Sequence, residues 1–150
     1  MKTLQVKKDE VEALIKKELG IKYCAEDRVY DAPPVSAFGK TRTQNILGMK
    51  ELFYVQEGFD CDNFAMVLRH DLKMRYWKKN IKKYGSRNGA SHKPDVFVEE
   101  IKVKYPDSKT PHWFVVCLAN VNNTPALIYR ERTSSNIVTP QSGWKLVKLR

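Results

Sequence analysis

The residue whose type and position most favour chemistry is Cys61, in the stretch Glu57-Gly58-Phe59-Asp60-Cys61-Asp62-Asn63-Phe64-Ala65. Asp60 is predicted to cap a helix, because a carboxylate at that position accepts the free N–H groups of the first turn. Cys61 then takes the first helical position, where the partial positive charge of the helix N-terminus favours a thiolate. The alternative is a small buried residue, since free cysteine is often part of a core.

A thiol nucleophile needs a base, and the chain has three histidines from which to choose. His70 lies nine residues after Cys61 on the same predicted helix, half a turn out of phase and roughly 13 Å away. His92 lies in a Gly- and Ser-rich segment without a rigid support. His112 opens the most strand-like segment of the chain, so we predict that it is the base. A strand-end histidine without a catalytic role is the alternative.

A third group would orient the imidazole, and Glu131 is the candidate. The Asn122-Asn123 turn predicts a hairpin whose second strand returns Glu131 close to His112. A surface ion pair of Glu131 with a neighbouring arginine is the alternative. Cys117 points to the opposite face of the first strand from His112, which predicts a core position.

The Asp60-Cys61-Asp62-Asn63-Phe64-Ala65 motif, with His112 opening one strand and Glu131 on the next, resembles the papain-like cysteine peptidase superfamily. The resemblance is to its compact bacterial, phage and fungal-lectin-associated members, which tend to show an Asp-Cys-Asp-x-Phe-Ala motif. It implies hydrolysis of an amide bond through a thioester. Cys61 would be the nucleophile, His112 the general base and then acid, and Glu131 the orienting group. The backbone N–H of Cys61 and the side chain of Gln56 would form the oxyanion hole.

Two alternatives accompany this hypothesis of a cysteine peptidase or amidase. Related sequences often place the acidic member directly before a Pro-Gln pair, whereas Thr139 precedes Pro140-Gln141 here. Either Glu131 serves as the acidic member or that member is missing. In the second case the scaffold is catalytically vestigial and binds nucleic acid or an acidic protein through the basic segment 69–93, for instance as an interaction protein encoded by a phage. Peptidoglycan endopeptidases of the NlpC/P60 and CHAP types share the Asp-Cys helix start and the His strand, and they are the other alternative. We predict a peptide, protein or peptidoglycan amide as substrate, with no cofactor and no metal.

The net charge of +10 is concentrated between Arg69 and Lys93. Such a segment is suited to nucleic acid or an acidic protein surface, although a solvated helix face is the more common reason for it. Binding to a polyanion would involve a basic set with one aromatic ring: Arg75, Trp77, Lys78, Lys79, Lys82, Lys83 and Arg87.

Length and composition predict one domain over residues 1–150, because 42% hydrophobic residues supply a core for a chain of this size. Helical periodicity dominates the first half of the chain and strand periodicity the second. This order predicts an α+β fold, in which N-terminal helices, including the Cys61 helix, pack on a C-terminal antiparallel sheet. Three cysteines without paired spacing favour a reducing cytoplasm, and no apolar run predicts a signal peptide or a membrane segment.

Overall fold

The computed structural model describes residues 2–38, 61–85, 95–104, 111–131, 137–138 and 145–149. Within these residues it contains two α-helices, one 3₁₀-helix and eight strands. In chain order they are β1 (Leu4–Lys7), α1 (Lys8–Leu19), β2 (Val29–Ala32), the 3₁₀-helix (Val35–Phe38), α2 (Cys61–Tyr84), β3 (Asp95–Val96), β4 (Val98–Lys104), β5 (His112–Val121), β6 (Thr124–Glu131), β7 (Ile137–Val138) and β8 (Lys145–Leu149).

The strands form two sheets. The first has three strands in the order β1-β2-β3, with β1 antiparallel and β3 parallel to the central β2. The second has five strands in the order β7-β6-β5-β4-β8. The β4–β8 and β6–β7 pairs are antiparallel, and the β4–β8 register shifts between Lys102 and Val103.

The chain divides into two compact units. Unit 1 comprises Met1–Gly39, Leu72–Phe97 and Cys117–Leu127, and unit 2 comprises Lys40–Asp71, Val98–Val116 and Ile128–Arg150. The elements α2, β5 and β6 each contribute residues to both. The prediction of a single domain over residues 1–150 stays a prediction.

Helix α1 follows its local sequence signals closely. Val11 and Ile15 are fully buried on its apolar side. The backbone N–H of Lys7 donates to the Glu10 carboxylate, which closes the first turn. Gly20 ends the helix with a φ of 71°, a left-handed conformation that glycine adopts without steric cost. The apolar spacing of Val11, Leu14, Ile15 and Leu19 predicts this helix, which is confirmed. The sequence also predicts Asp9 as the N-cap with Glu12 as its partner, whereas the N-cap is Lys7 and its partner is Glu10.

The hairpin of β5 and β6 is also confirmed. Asn122 and Asn123 have φ values of 52° and 62°, as the two central residues of a type I′ turn require. Residues 113–120 of β5 are all buried, so both faces of this strand are covered. Cys117 has no exposed surface, which confirms its predicted core position.

The predicted assembly of these elements is wrong. The prediction placed N-terminal helices on a single C-terminal antiparallel sheet. In the structure, the first third of the chain contributes β1 and β2 to a separate sheet, which is partly parallel. The sequence predicts an irregular segment over residues 21–40, because Asp31-Ala32-Pro33-Pro34 excludes regular helix. The proline pair in fact directly follows β2, and Asp31 is buried within that strand.

Candidate ligand-binding site

Three of the four predicted catalytic residues lie at the ends of the helix and strands that were predicted to carry them. Cys61 is the first residue of α2, His112 the first of β5 and Glu131 the last of β6. His112 is partly buried, whereas the side chains of Cys61 and Glu131, and the whole of Gln56, lie outside the described residues. Because β5 and β6 are neighbours joined by the Asn122-Asn123 turn, His112 and Glu131 lie at the same end of this strand pair. The catalytic assignment of these four residues stays a prediction.

The basic half of α2 carries its cations on an unexpected face. The first turns of the helix bury one face, formed by Phe64, Ala65, Leu68 and Leu72. At 100° per residue, the continuation of that face bears Arg75, Lys79, Lys82 and Lys83. Lys79, Lys82 and Lys83 are exposed, so the side that the helix buries in its first half carries solvent-accessible cations in its second half. Trp77 is 43% exposed and lies on the opposite side. Arg87 lies outside the described residues.

Two other cations of α2 have structural partners. The Arg69 guanidinium donates to the Val98 carbonyl at 3.1 Å and pairs with the Glu99 carboxylate at 3.3 Å. Lys73 pairs with Asp95 at 3.5 Å. The first of these contacts lies within unit 2 and the second within unit 1. They hold the helix, and Lys79, Lys82 and Lys83 are exposed cations further along it.

Two of the later cations, Lys79 and Lys83, line a cavity of about 640 Å³ in unit 1. It is bounded by residues of β1, β2, the segment that follows β2, and the second half of α2. Its polar and aromatic lining comprises Lys2, Thr3, Gln5, Asp31, Ser36, Tyr76, Lys79, Asn80, Lys83 and Tyr84. Three lysines against one carboxylate make this cavity, here called the polar pocket, electropositive.

Asp31 and Tyr76 form the central polar contact of the polar pocket. Asp31 is only 4% exposed, and the Tyr76 hydroxyl donates a hydrogen bond to its Oδ2. Burial raises the pKa of Tyr76 far above its ordinary value, and the hydrogen bond to Asp31 and the charge of that carboxylate raise it further. The Asn80 side chain also bonds the Tyr76 hydroxyl, which works in the opposite direction. Tyr76 therefore stays a proton donor and fixes the orientation of Asp31.

Sequence reasoning found the cations and missed the pocket that they line. In the sequence, Asp31 belongs to an Asp-Ala-Pro-Pro segment that indicates only the exclusion of helix, and Tyr76 is one of two aromatic residues between basic ones. The signal that could have located the site is the helical phase of α2, because the buried stripe at its start continues into Arg75 and Lys79. Nothing in the sequence pairs Asp31 with Tyr76, since 45 residues separate them.

Among the described residues, no group of three or more His, Cys, Asp or Glu side chains is arranged to hold a metal ion. Nor does any helix in the described part of the chain combine the length and the apolarity that crossing a membrane requires.

No family model and no curated protein matches the chain. Among solved structures it is similar to the Polyporus squamosus lectin bound to the human-type influenza-binding epitope Neu5Acα2-6Galβ1-4GlcNAc. The TM-score is 0.63 at 15% sequence identity, and the match covers 97% of this chain and 49% of the lectin chain. This chain thus spans about half the length of the lectin chain. At such low identity the similarity shows a shared fold alone.

This comparison corrects two predictions from the sequence. The predicted papain-like fold is wrong, because the fold found is that of part of a sugar-binding lectin. The descriptions of the protein as a phage-type thiol protease and hydrolase are wrong for the same reason. Whether Cys61 acts as a nucleophile is a separate chemical question that the similarity does not touch, and it stays a prediction.

Proposed function

We propose that this chain is a carbohydrate-binding domain and that the polar pocket of unit 1 takes an anionic glycan. The observation that carries the proposal is the position of Lys79 and Lys83, which extend the buried face of α2 and line a cavity that also holds the fixed carboxylate of Asp31. A solvated helix normally places its cations on the side away from the core. Lys79 and Lys83 are exposed to solvent, and at the same time they line a cavity with hydrogen-bonding side chains.

The size and chemistry of the polar pocket fit a small oligosaccharide. Its volume of about 640 Å³ lies within the roughly 300–1,000 Å³ typical of small-ligand sites. Asp31, Asn80 and Gln5 offer acceptors and donors for sugar hydroxyls. Tyr84 is 40% exposed and offers an aromatic surface, with the Lys83 ammonium 5.1 Å from its ring centroid. The excess of lysines favours a ligand with a carboxylate or a sulfate.

The choice of ligand class also draws on the lectin with a similar fold, which was seen with a sialylated trisaccharide and of which the similarity covers 49%. The proposal places the protein in a reducing cytoplasm, as its cysteine content predicts, and Cys24 and Cys117 are free thiols. The same lysines would also attract nucleic acid or an acidic protein surface, and the test separates these ligands.

The test is calorimetric titration with Neu5Acα2-6Galβ1-4GlcNAc and with the neutral Galβ1-4GlcNAc. We expect the sialylated sugar to bind more tightly. Hydrogen bonds to charged groups contribute about 1.5–3 kcal/mol each, so the double substitution Lys79→Gln/Lys83→Gln should weaken its binding by roughly tenfold or more. The neutral sugar should be affected much less.

The matched control is Lys16→Gln/Lys17→Gln, which removes the same charge from exposed positions in the last turn of α1. If this control loses as much affinity for the sialylated sugar, the effect of Lys79→Gln/Lys83→Gln is due to the change in net charge and not to contacts in the polar pocket. Absence of binding by either sugar would overturn the proposal, and so would binding without preference for the sialylated one.

A further inference from the structure

A second cavity, here called the basic groove, adjoins the polar pocket within unit 1. It has a volume of about 460 Å³ and is lined by Ser36, Ala37, Arg75, Lys78, Lys79 and Lys82. Ser36, Ala37 and Lys79 line both cavities. Lys79 therefore stands at the junction of two adjoining binding surfaces, and Lys78 and Lys82 line the groove but not the pocket.

The basic groove and the polar pocket differ in charge. Four of the six residues that line the groove are cations, and none is acidic, whereas the pocket contains the Asp31 carboxylate. Along α2 the rise of 1.5 Å per residue places Lys79 about 6 Å beyond Arg75, and Lys82 about 4.5 Å further. Such a row complements a linear ligand with several negative groups better than it complements a single terminal acid.

Among the described residues, the basic groove has no aromatic ring on which bases could stack, and the two tyrosines of the site, Tyr76 and Tyr84, line the polar pocket instead. Proteins that bind single strands combine a cationic groove with aromatic rings on which the bases stack. Trp77, the most exposed aromatic side chain of the described residues, lies on the opposite side of α2 from the row of cations.

We infer that the ligand is a linear polyanionic glycan, with sulfate or carboxylate groups on successive sugars, which occupies the polar pocket and the basic groove together. This inference rests on the proposed function and specifies its ligand class. The pocket would bind sugar hydroxyls and one acidic group, the groove would bind the following acidic groups, and Lys79 would contact the ligand where it passes from one to the other.

The test is titration with sulfated, uronate-containing oligosaccharides derived from heparin, from disaccharide to octasaccharide. We expect the octasaccharide to bind about tenfold more tightly than the disaccharide or better, since contacts in the groove add to those in the pocket. Its affinity should also fall more steeply with salt.

Two variants separate the cavities. Lys78→Gln/Lys82→Gln alters the basic groove alone and should bring the octasaccharide close to the affinity of the disaccharide, with the salt slope reduced by about one per lysine. The same variant should weaken the sialylated trisaccharide far less. Lys2→Gln/Lys83→Gln alters the polar pocket alone and should weaken all of these sugars. Lys16→Gln/Lys17→Gln serves again as the charge control.

The inference and the proposed function fail in different ways. If the trisaccharide binds and the octasaccharide binds no more tightly than the disaccharide, the inference is overturned and the proposed function stands. If no sugar binds, both are overturned. If a single-stranded oligonucleotide of equal charge binds as tightly and depends equally on Lys78 and Lys82, the groove binds polyanions in general, and the glycan inference is overturned.

Discussion

The pair of Asp31 and Tyr76 is a costly arrangement that a stable core would not need. A buried carboxylate loses hydration, and hydrogen bonds must compensate for that loss. Tyr76 supplies one of them, and its own hydroxyl is bonded by Asn80. A buried polar group that is held in one orientation at a cavity wall is characteristic of sites that recognise ligands.

The first prediction concerns the stability that this pair contributes. Tyr76→Phe removes one hydrogen bond from the buried Asp31 and should lower the free energy of unfolding by about 1–3 kcal/mol at neutral pH. The pKa of Tyr76 is raised above its ordinary value of 10.0, so the unfolded chain loses this proton first as pH rises. The contribution is therefore complete below about pH 10 and is lost progressively at higher pH.

Urea unfolding between pH 7 and pH 11.5 measures both effects. The stability of Tyr76→Phe should fall less steeply above pH 10 than that of the native sequence. Asp31→Asn keeps an acceptor for the tyrosine and removes the charge, so its alkaline slope should lie between the two. Parallel curves for all three proteins would show that the pair does not contribute in this way.

At the scale of elements, the sequence predicted what local signals determine. Gly20 ends α1, the two asparagines at 122 and 123 set the β5–β6 turn, and the apolar run after His112 forms β5. The first sheet was not predicted, because its strands are short and come from distant parts of the chain. Asp31 in β2 pairs with Gln5 on one side and with Val96 on the other. No local pattern encodes such pairings.

Of the candidate site, only the part carried by α2 could be predicted from the sequence. Composition identifies the basic half of α2, but it does not distinguish Trp77 from Lys79 as a residue that could contact a ligand. Helical phase separates them, because Lys79 continues the buried face of the helix and Trp77 does not. The other wall of the polar pocket comes from β1 and β2, and it could not be predicted without the first sheet.

The start of α2 supplies the next prediction, which concerns the three thiols. In the native protein, iodoacetamide should label Cys24, which is exposed, and should spare Cys117, which has no exposed surface. The helix N-terminus predicts from the sequence that Cys61 reacts as a thiolate and is labelled faster than Cys24 at neutral pH. Peptide mass spectrometry over a time course measures all three rates.

Protein unfolded in urea is the control, because all three thiols are then accessible and should react at similar rates. Labelling of Cys61 no faster than that of Cys24 in the native protein would remove the remaining basis for a nucleophile at this position. Fast labelling of Cys117 in the native protein would contradict its place in the core.

At the scale of the whole molecule, the net charge of +10 assists binding beyond the contacts in the site. Clustered cations raise the local concentration of an anionic ligand and speed its association, and salt screens both effects. A long-range attraction of this kind does not determine where a ligand binds. The position of the ligand depends on the polar pocket and the basic groove, all of whose lining residues belong to unit 1.

The last prediction follows from this confinement to one unit. A ligand that binds only the folded state stabilises it by mass action, by about 2.7 kcal/mol at a free concentration of one hundred times its Kd. Saturation with the heparin octasaccharide should slow early hydrogen exchange in β1, in β2 and in the part of α2 from Leu72 to Tyr84. The amides of β4, in unit 2, should keep their early exchange rates. Equal slowing in β4, or slowing there alone, would place the ligand away from the lysines of α2 and would contradict both proposals.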